Sequence, residues 1–131
     1  MVVVDASVLA AFYASDDPRR VTVSHRLAVS DSLFAPAHLD AEVVSTLRGL
    51  ARRNPTLNAV VPRALAHLAA FPIRRLPLAP LLTRMWDLRD NVTPYDAAYV
   101  ALAERLGSPL ITCDARLTMA SGCGCVFELI V

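Results

Sequence analysis

With 131 residues, 55% of them hydrophobic and 19% charged, the chain is long enough for one domain (residues 1–131) with a real core, and its composition excludes a disordered chain. A formal net charge of +1 is not the strongly basic balance of a non-specific nucleic-acid binder. Neither a membrane span nor a secretory signal is expected, and the location is read as cytoplasmic. The apolar stretch from Leu57 to Ile73 is broken by Pro62, Arg63, His67 and Pro72, and Met1 to Ala14 carries Asp5 with no basic residue before Arg19.

In chain order, Met1 to Val4 is a valine run that reads as a covered strand ending in Asp5. Ala6 to Ala14 is a short helical pattern. Asp16, Asp17 and Pro18 make a turn and the start signal of a second helix, about Arg19 to Ser30. Leu33 to Ala35, before Pro36, forms a very short strand, and His38 to Arg53 places Val43, Val44, Leu47 and Leu50 at helical spacing, with Glu42 in its first turn or two. Asn54 and Pro55 break the chain, and Thr56 to Phe71 is another helical segment that Pro62 either begins or splits. Ile73 to Leu78 resembles a strand whose Pro77 marks an end or an edge, and a helix from about Pro80 to Arg89 follows.

The next stretch, Val92 to Leu117, carries the strongest local signals. Thr93 is an N-cap, Pro94 has its backbone preset for the first helical position, and Asp96 is a capping-box-like acid; Gly107 and Pro109 end the helix. Leu110 to Thr112 then forms a second covered strand, and Asp114 stands where it leaves the sheet. Arg116 to Ala120 is a short helix and Val126 to Val131 an apolar terminal strand. This alternation predicts an α/β fold with a mostly parallel sheet covered on both faces. Cys113, Cys123 and Cys125 are an odd set in a domain with ample core, which argues against a disulfide framework, and none has a partner at zinc-site spacing.

Asp5 and Asp114 both leave apolar strands, and Asp96 starts the helix that feeds the second of them. With Glu42 they make four acids that cannot share a small site as bare anions without strong repulsion. A hard divalent cation, Mg²⁺ or Mn²⁺, removes that difficulty, and the lack of a histidine near these acids in sequence argues against a zinc-type site. The chemistry expected of such a site is phosphodiester hydrolysis. Asp96 also fits a plain capping acid, and Glu42 a favourable charge near a helix N-terminus. Ser7 and Thr112 are candidate supporting hydroxyls, Tyr95 and Tyr99 are read as packing residues, and His25, His38 and His67 as surface or helix residues. With the four acids set aside, thirteen basic residues face eight acidic ones, and all thirteen are arginine, the better fork for phosphate. Arg116, Arg52, Arg53, Arg74 and Arg75 are therefore candidate RNA-binding residues, with a solvated surface as the competing reading.

These residues carry a resemblance. Val-Val-Asp-Ala-Ser at the N-terminus, the Glu42 helix, Thr-Pro-Tyr-Asp-Ala-Ala-Tyr-Val-Ala-Leu-Ala and Leu-Ile-Thr-Cys-Asp-Ala-Arg-Leu resemble, in order and over essentially the whole length, a PIN-domain ribonuclease of the VapC toxin type. The resemblance implies a three-layer α/β/α fold with a central sheet of about four to five strands. It implies a metal-dependent endoribonuclease, with Asp5, Glu42, Asp96 and Asp114 as the catalytic metal-binding set and Thr112 in support. It also implies a cognate antitoxin and a homodimer. One departure is Arg116, where many relatives carry a further acid; this puts a second metal in doubt and offers a phosphate contact instead. A structure-specific DNA nuclease and a catalytically idle binding module are the alternatives; the second would show a broken acid set, and all four positions are filled. A receiver domain needs a late lysine and a haloacid-dehalogenase phosphatase needs Asp-x-Asp, and the chain has neither.

The helices from Ala6 to Arg53 carry Val8, Leu9, Phe12, Tyr13, Val21, Val23, Leu27, Val29, Val43, Val44, Leu47 and Leu50, more apolar surface than covering one side of a small sheet requires. The surplus is assigned to the antitoxin across these helices, and the Pro80 to Arg89 helix, with Met85 and Trp86, to a two-fold interface.

Overall fold

The structure is a computed structural model and describes residues 1–131. Three valines form strand β1 (Val2–Val4), and all three are buried, which is why the run is continuous rather than alternating. Helices α1 (Ala6–Tyr13) and α2 (Arg20–Ala28) follow, then β2 (Leu33–Pro36), α3 (Leu39–Arg53), α4 (Val61–Ala70) and β3 (Ile73–Leu76). The chain continues through α5 (Leu82–Asp87), α6 (Pro94–Leu106), β4 (Leu110–Thr112), α7 (Ala115–Thr118) and β5 (Phe127–Leu129).

The five strands are all parallel and lie in the order β3, β2, β1, β4, β5. Val3 sits between Phe34 of β2 and Leu110 of β4, so the direction of strand succession reverses between β1 and β4. In open α/β sheets the crevice outside the strand C-termini at such a reversal is the usual ligand site. Helix α6 lies against β1 and β2 with α5 outside it, while α1 lies against β4 with α2 and α3 beside it, giving an α/β/α sandwich. Every residue from Ala97 to Ala103 is buried, so α6 shows no amphipathic stripe: it is a core helix. It opens on the Thr93 cap with Pro94 in its first turn, and closes at Gly107, whose φ of 60° is the left-handed conformation that ends helices.

The structure shortens several expected elements. Residues 55–70 are not one helix; a 3₁₀ turn (Pro55–Ala59) precedes α4, and Pro62 stands in the first turn of α4, where its missing N–H is not needed. The expected helix from Pro80 to Arg89 is likewise a 3₁₀ turn (Ala79–Leu81) followed by the short α5. Strand β3 stops before Pro77 and is an edge strand. Strand β5 is three residues rather than six because its only neighbour, β4, offers three partners, from Leu110 to Thr112.

The apolar surplus on the first three helices is smaller than the sequence suggests. Val8, Leu9, Val23, Leu27, Val43 and Leu47 are buried, because α1 packs on α2 and α3 as well as on the sheet. Val21, Val29 and Val44 remain exposed. All three cysteines are free thiols and half-buried.

Candidate active site

Asp5 leaves β1 and caps α1. Only 4% of the residue is exposed, and both carboxylate oxygens are held. Ser7 Oγ donates to Oδ1 at 2.5 Å, joined by the Val8 amide at 3.3 Å, and Thr112 Oγ1 donates to Oδ2 at 2.5 Å. Behind them the Cys113 amide donates to Ser7 Oγ and the Asp114 amide to Thr112 Oγ1, each at 2.9 Å. A hydroxyl has one proton, and these two already accept from backbone amides; their protons therefore point at Asp5. Burial still pushes the Asp5 carboxyl up to about 6, with the negative charge of Asp96 adding to the rise. Ser7 and Thr112 thus fix the rotamer of Asp5 and tie β1 to the end of β4.

Asp96 lies in the first turn of α6, its amide donating to the Thr93 cap at 3.2 Å. Burial raises its carboxyl, and the charges of Glu42 and Asp114 raise it further, against the opposing charge of Arg116. Glu42, in the first turn of α3, accepts the Tyr99 hydroxyl on Oε1 at 2.7 Å and faces His38 Nε2 at 3.1 Å. Burial would raise Glu42, but these hydrogen bonds outweigh it and hold the carboxyl below its ordinary value. Asp114 caps α7 and accepts the Arg116 amide at 3.0 Å, with the Arg116 guanidinium 3.6 Å away. Four elements therefore deliver four acids, and Asp96 is the one that couples to the other three.

Two sequence expectations change here. His38 is no surface residue: its side chain is 14% exposed and lies against Glu42, one helical turn on. The premise that no histidine stands near the acids is thus corrected, and the i, i+4 spacing of His38 and Glu42 was the available signal. Tyr99 is buried, as a packing residue should be, but it also donates to a site carboxylate.

The candidate phosphate contacts separate. Arg116 is 94% exposed in its side chain and, with Arg89, Asp90, Asn91, Thr93, Asp96 and Asp114, lines an open cleft of about 490 Å³. Arg89, which sequence reasoning passed over, stacks on Trp86 at 4.5 Å beside that cleft. Arg75 is committed elsewhere. Its five N–H groups go to both Asp40 oxygens and to the carbonyls of Leu68, Phe71 and Ile73, leaving none for phosphate. Arg74 lies 5.8 Å over the Phe34 ring. Arg52 and Arg53 end α3, about 15 Å along the helix from Glu42.

As the side chains stand, no three acid, imidazole or thiol groups close on a single point. Their couplings are pairwise and all-oxygen except for His38, and burial first, then mutual repulsion, raises Asp5 and Asp96. A hard cation that keeps part of its water shell and binds one or two carboxylates directly fits such a set.

Comparison with known proteins gives the same placement. The PIN domain family model matches residues 2–121. The chain is 38% identical over 130 residues to Ribonuclease VapC12 of Mycobacterium tuberculosis, covering 99% of both chains. The crystal structure of M. tuberculosis VapC20, a sarcin-ricin loop cleaving toxin, superposes with a TM-score of 0.71 at 20% identity, covering 91% of this chain and 94% of that one. Rickettsia felis VapBC2 bound to a DNA fragment from their promoter superposes with a TM-score of 0.64 at 10% identity, covering 98% of both chains. Strand-end acids at the sheet's reversal, a fold shared with these structures and full-length sequence identity agree: the chain belongs to the PIN-domain family and, within it, to the VapC ribonucleases.

Proposed function

We propose that residues 1–131 act as one nuclease domain, a metal-dependent endoribonuclease and the toxin of a toxin-antitoxin pair in the cytoplasm. The observation that carries this is Asp5 and Asp114 beyond the ends of the adjacent strands β1 and β4, with Asp96 in the first turn of α6 near enough to feel the charges of Asp5, Asp114 and Glu42. Asp5, Asp96 and Asp114, with Glu42, would hold Mg²⁺, or Mn²⁺ in its place. Bound there, the ion supplies an activated water and neutralises charge developing on the phosphate and the leaving oxygen. Ser7 and Thr112 hold Asp5 still, and Tyr99 and His38 hold Glu42. Arg116 reaches over the cleft from beside Asp114 as the phosphate contact, with Arg89 on the same cleft.

The antitoxin reading is supported by the likeness to the VapBC2 complex and by a groove of about 440 Å³ with an apolar floor of Phe12, Leu27, Leu33 and Phe71 and polar edges at Ser24, Ser30, Asp31 and His67. The groove runs between α2 and α4, at the end of the sheet where β2 and β3 begin, away from the acids. Trp86 (67% exposed) and Leu82 (56% exposed) on α5 are the surface proposed for a homodimer. No helix is long and apolar enough to cross a membrane.

The test is cleavage of RNA by the purified chain in Mg²⁺ or Mn²⁺, with Asp5→Ala, Asp96→Ala and Asp114→Ala as controls. Cleavage should need the ion and each acid. Cleavage that persists in excess chelator would sink the metal mechanism, and cleavage of DNA in preference to RNA would move the chain to the DNA-nuclease reading.

A further inference from the structure

His38 precedes α3, and its imidazole is the one ring nitrogen group among the site acids. Nε2 lies 3.1 Å from Glu42 Oε1 and 3.1 Å from the Tyr95 carbonyl oxygen. Both neighbours are acceptors, which assigns the hydrogen to Nε2 and makes it a donor shared between them. Glu42 Oε1 also takes the Tyr99 hydroxyl, so one carboxylate oxygen is filled by two donors while no protein group donates to Oε2. Tyr95 directly precedes Asp96 in the first turn of α6. His38 therefore bridges the helix that carries Glu42 and the helix that carries Asp96. Its ring is packed against Tyr99, 4.9 Å between centroids, and Tyr95, 6.2 Å, and Nδ1 is buried with no partner. A ring that gives up a hydrogen bond at one nitrogen while sharing the other between two acceptors is held by packing for that shared donation.

We infer that His38 is a positioning residue: through Nε2–H it ties Glu42 to the first turn of α6, fixing which Glu42 oxygen is offered to a divalent cation and the separation of Glu42 from Asp96. This rests on the divalent-cation reading of the four acids. Mn²⁺ binding to the purified full chain, followed by loss of the free-ion electron paramagnetic resonance signal at one fixed pH, tests it in the parent, His38→Ala, His38→Gln and Asp96→Ala. His38→Ala should bind Mn²⁺ roughly tenfold more weakly, the usual size of an outer-shell loss, and His38→Gln, whose amide keeps an N–H donor, should recover most of that. Melting in chelator separates the effect from misfolding, because a packing role alone would lower the melting temperature without the Gln rescue of affinity. His38→Ala binding as tightly as the parent, or a folded His38→Gln no better than His38→Ala, overturns the role. If His38→Ala fails to fold, a folded His38→Gln with parental affinity upholds it and one as weak as Asp96→Ala overturns it. A parent that binds no more Mn²⁺ than Asp96→Ala fails differently: it overturns the cation reading and takes this inference with it.

Discussion

Asp5→Asn isolates the charge at the centre of the site. The Asp5 carboxyl is pushed up to about 6 from an ordinary 3.8, so between those pH values the folded chain keeps a proton that the unfolded chain has released. Stability therefore falls as pH rises through that window, and the loss of about 3 kcal/mol persists above it. Asparagine is close in shape to the carboxyl and does not ionise, but its NH2 stands in for an oxygen that accepts from Ser7 or Thr112, so the variant carries a pH-independent deficit. In chelator the parent's stability should fall by up to ~3 kcal/mol, roughly 10 °C in a chain of this size, as pH rises from 4 to 6. The variant should lack that fall, so the difference between the two proteins should shift by this amount in the variant's favour. Mn²⁺ at pH 7.5 should then raise the parent's melting temperature and leave the variant's unchanged, since the variant has lost the charge that the ion would balance. The assay is circular dichroism melting from pH 4 to 8, with and without Mn²⁺, and cleavage should be lost in the variant throughout. A stability difference between parent and Asp5→Asn that stays constant from pH 4 to 7.5 would refute the assignment of a buried carboxylate with a raised pKa.

Asp96→Ala and Asp114→Ala should each reduce Mg²⁺-dependent RNA cleavage to the level of chelated parent while the far-ultraviolet spectrum stays the same; activity near parental in either removes that acid from the set. Arg116→Ala should weaken RNA binding and take about one unit from its log–log salt slope, whereas Arg75→Ala, which removes the charged partner of Asp40 and a second donor to the Leu68 and Phe71 carbonyls, should leave the slope alone and cost ~1–3 kcal/mol of stability. An added Cβ at Gly124 would stand 2.8 Å from Glu104 Oε2, which accepts the Gly124 amide and pairs with Arg84, so Gly124→Ala should lower the melting point measurably; an unchanged melt would show that the loop yields freely. Hydrogen exchange with the cognate antitoxin should protect the groove around Phe12, Leu27 and Phe71, and protection confined to α5 would place the partner elsewhere.

Local chemistry made much of this fold legible. The valines of β1, the Thr93-Pro94 cap and the Gly107 stop are signals contained within a few residues, and the structure has a strand, a helix start and a helix end at those places. The same is true of Pro77, which marks both the end of β3 and its edge position. Where a proline sits inside an apolar pattern, local signals leave the outcome open: Pro62 falls in the first turn of α4, and Pro55–Ala59 before it close into a 3₁₀ turn. The length of β5 was illegible for a different reason, because β4 sets how many of its residues find partners.

Side-chain roles followed the same division. Asp5 and Asp114 declare themselves because an acid within two residues of the end of a buried parallel strand must lie at the sheet's rim, and the reversal between β1 and β4 makes those two ends neighbours. Arg116 and Arg75 look alike in sequence, each an arginine near a candidate element. Only the fold brings Asp40, at the start of α3, to Arg75, which also reaches back to carbonyls of its own α4–β3 segment, while Arg116, in the first turn of the short α7, keeps its exposed guanidinium at the cleft. An arginine's availability for phosphate is thus a property of how many of its five donors the fold has already used. That measure makes Arg75 structural, and position decides among the other four: only Arg116 lies on the cleft, joined there by Arg89, which gives one N–H to the Trp86 carbonyl and lays its guanidinium on the Trp86 ring.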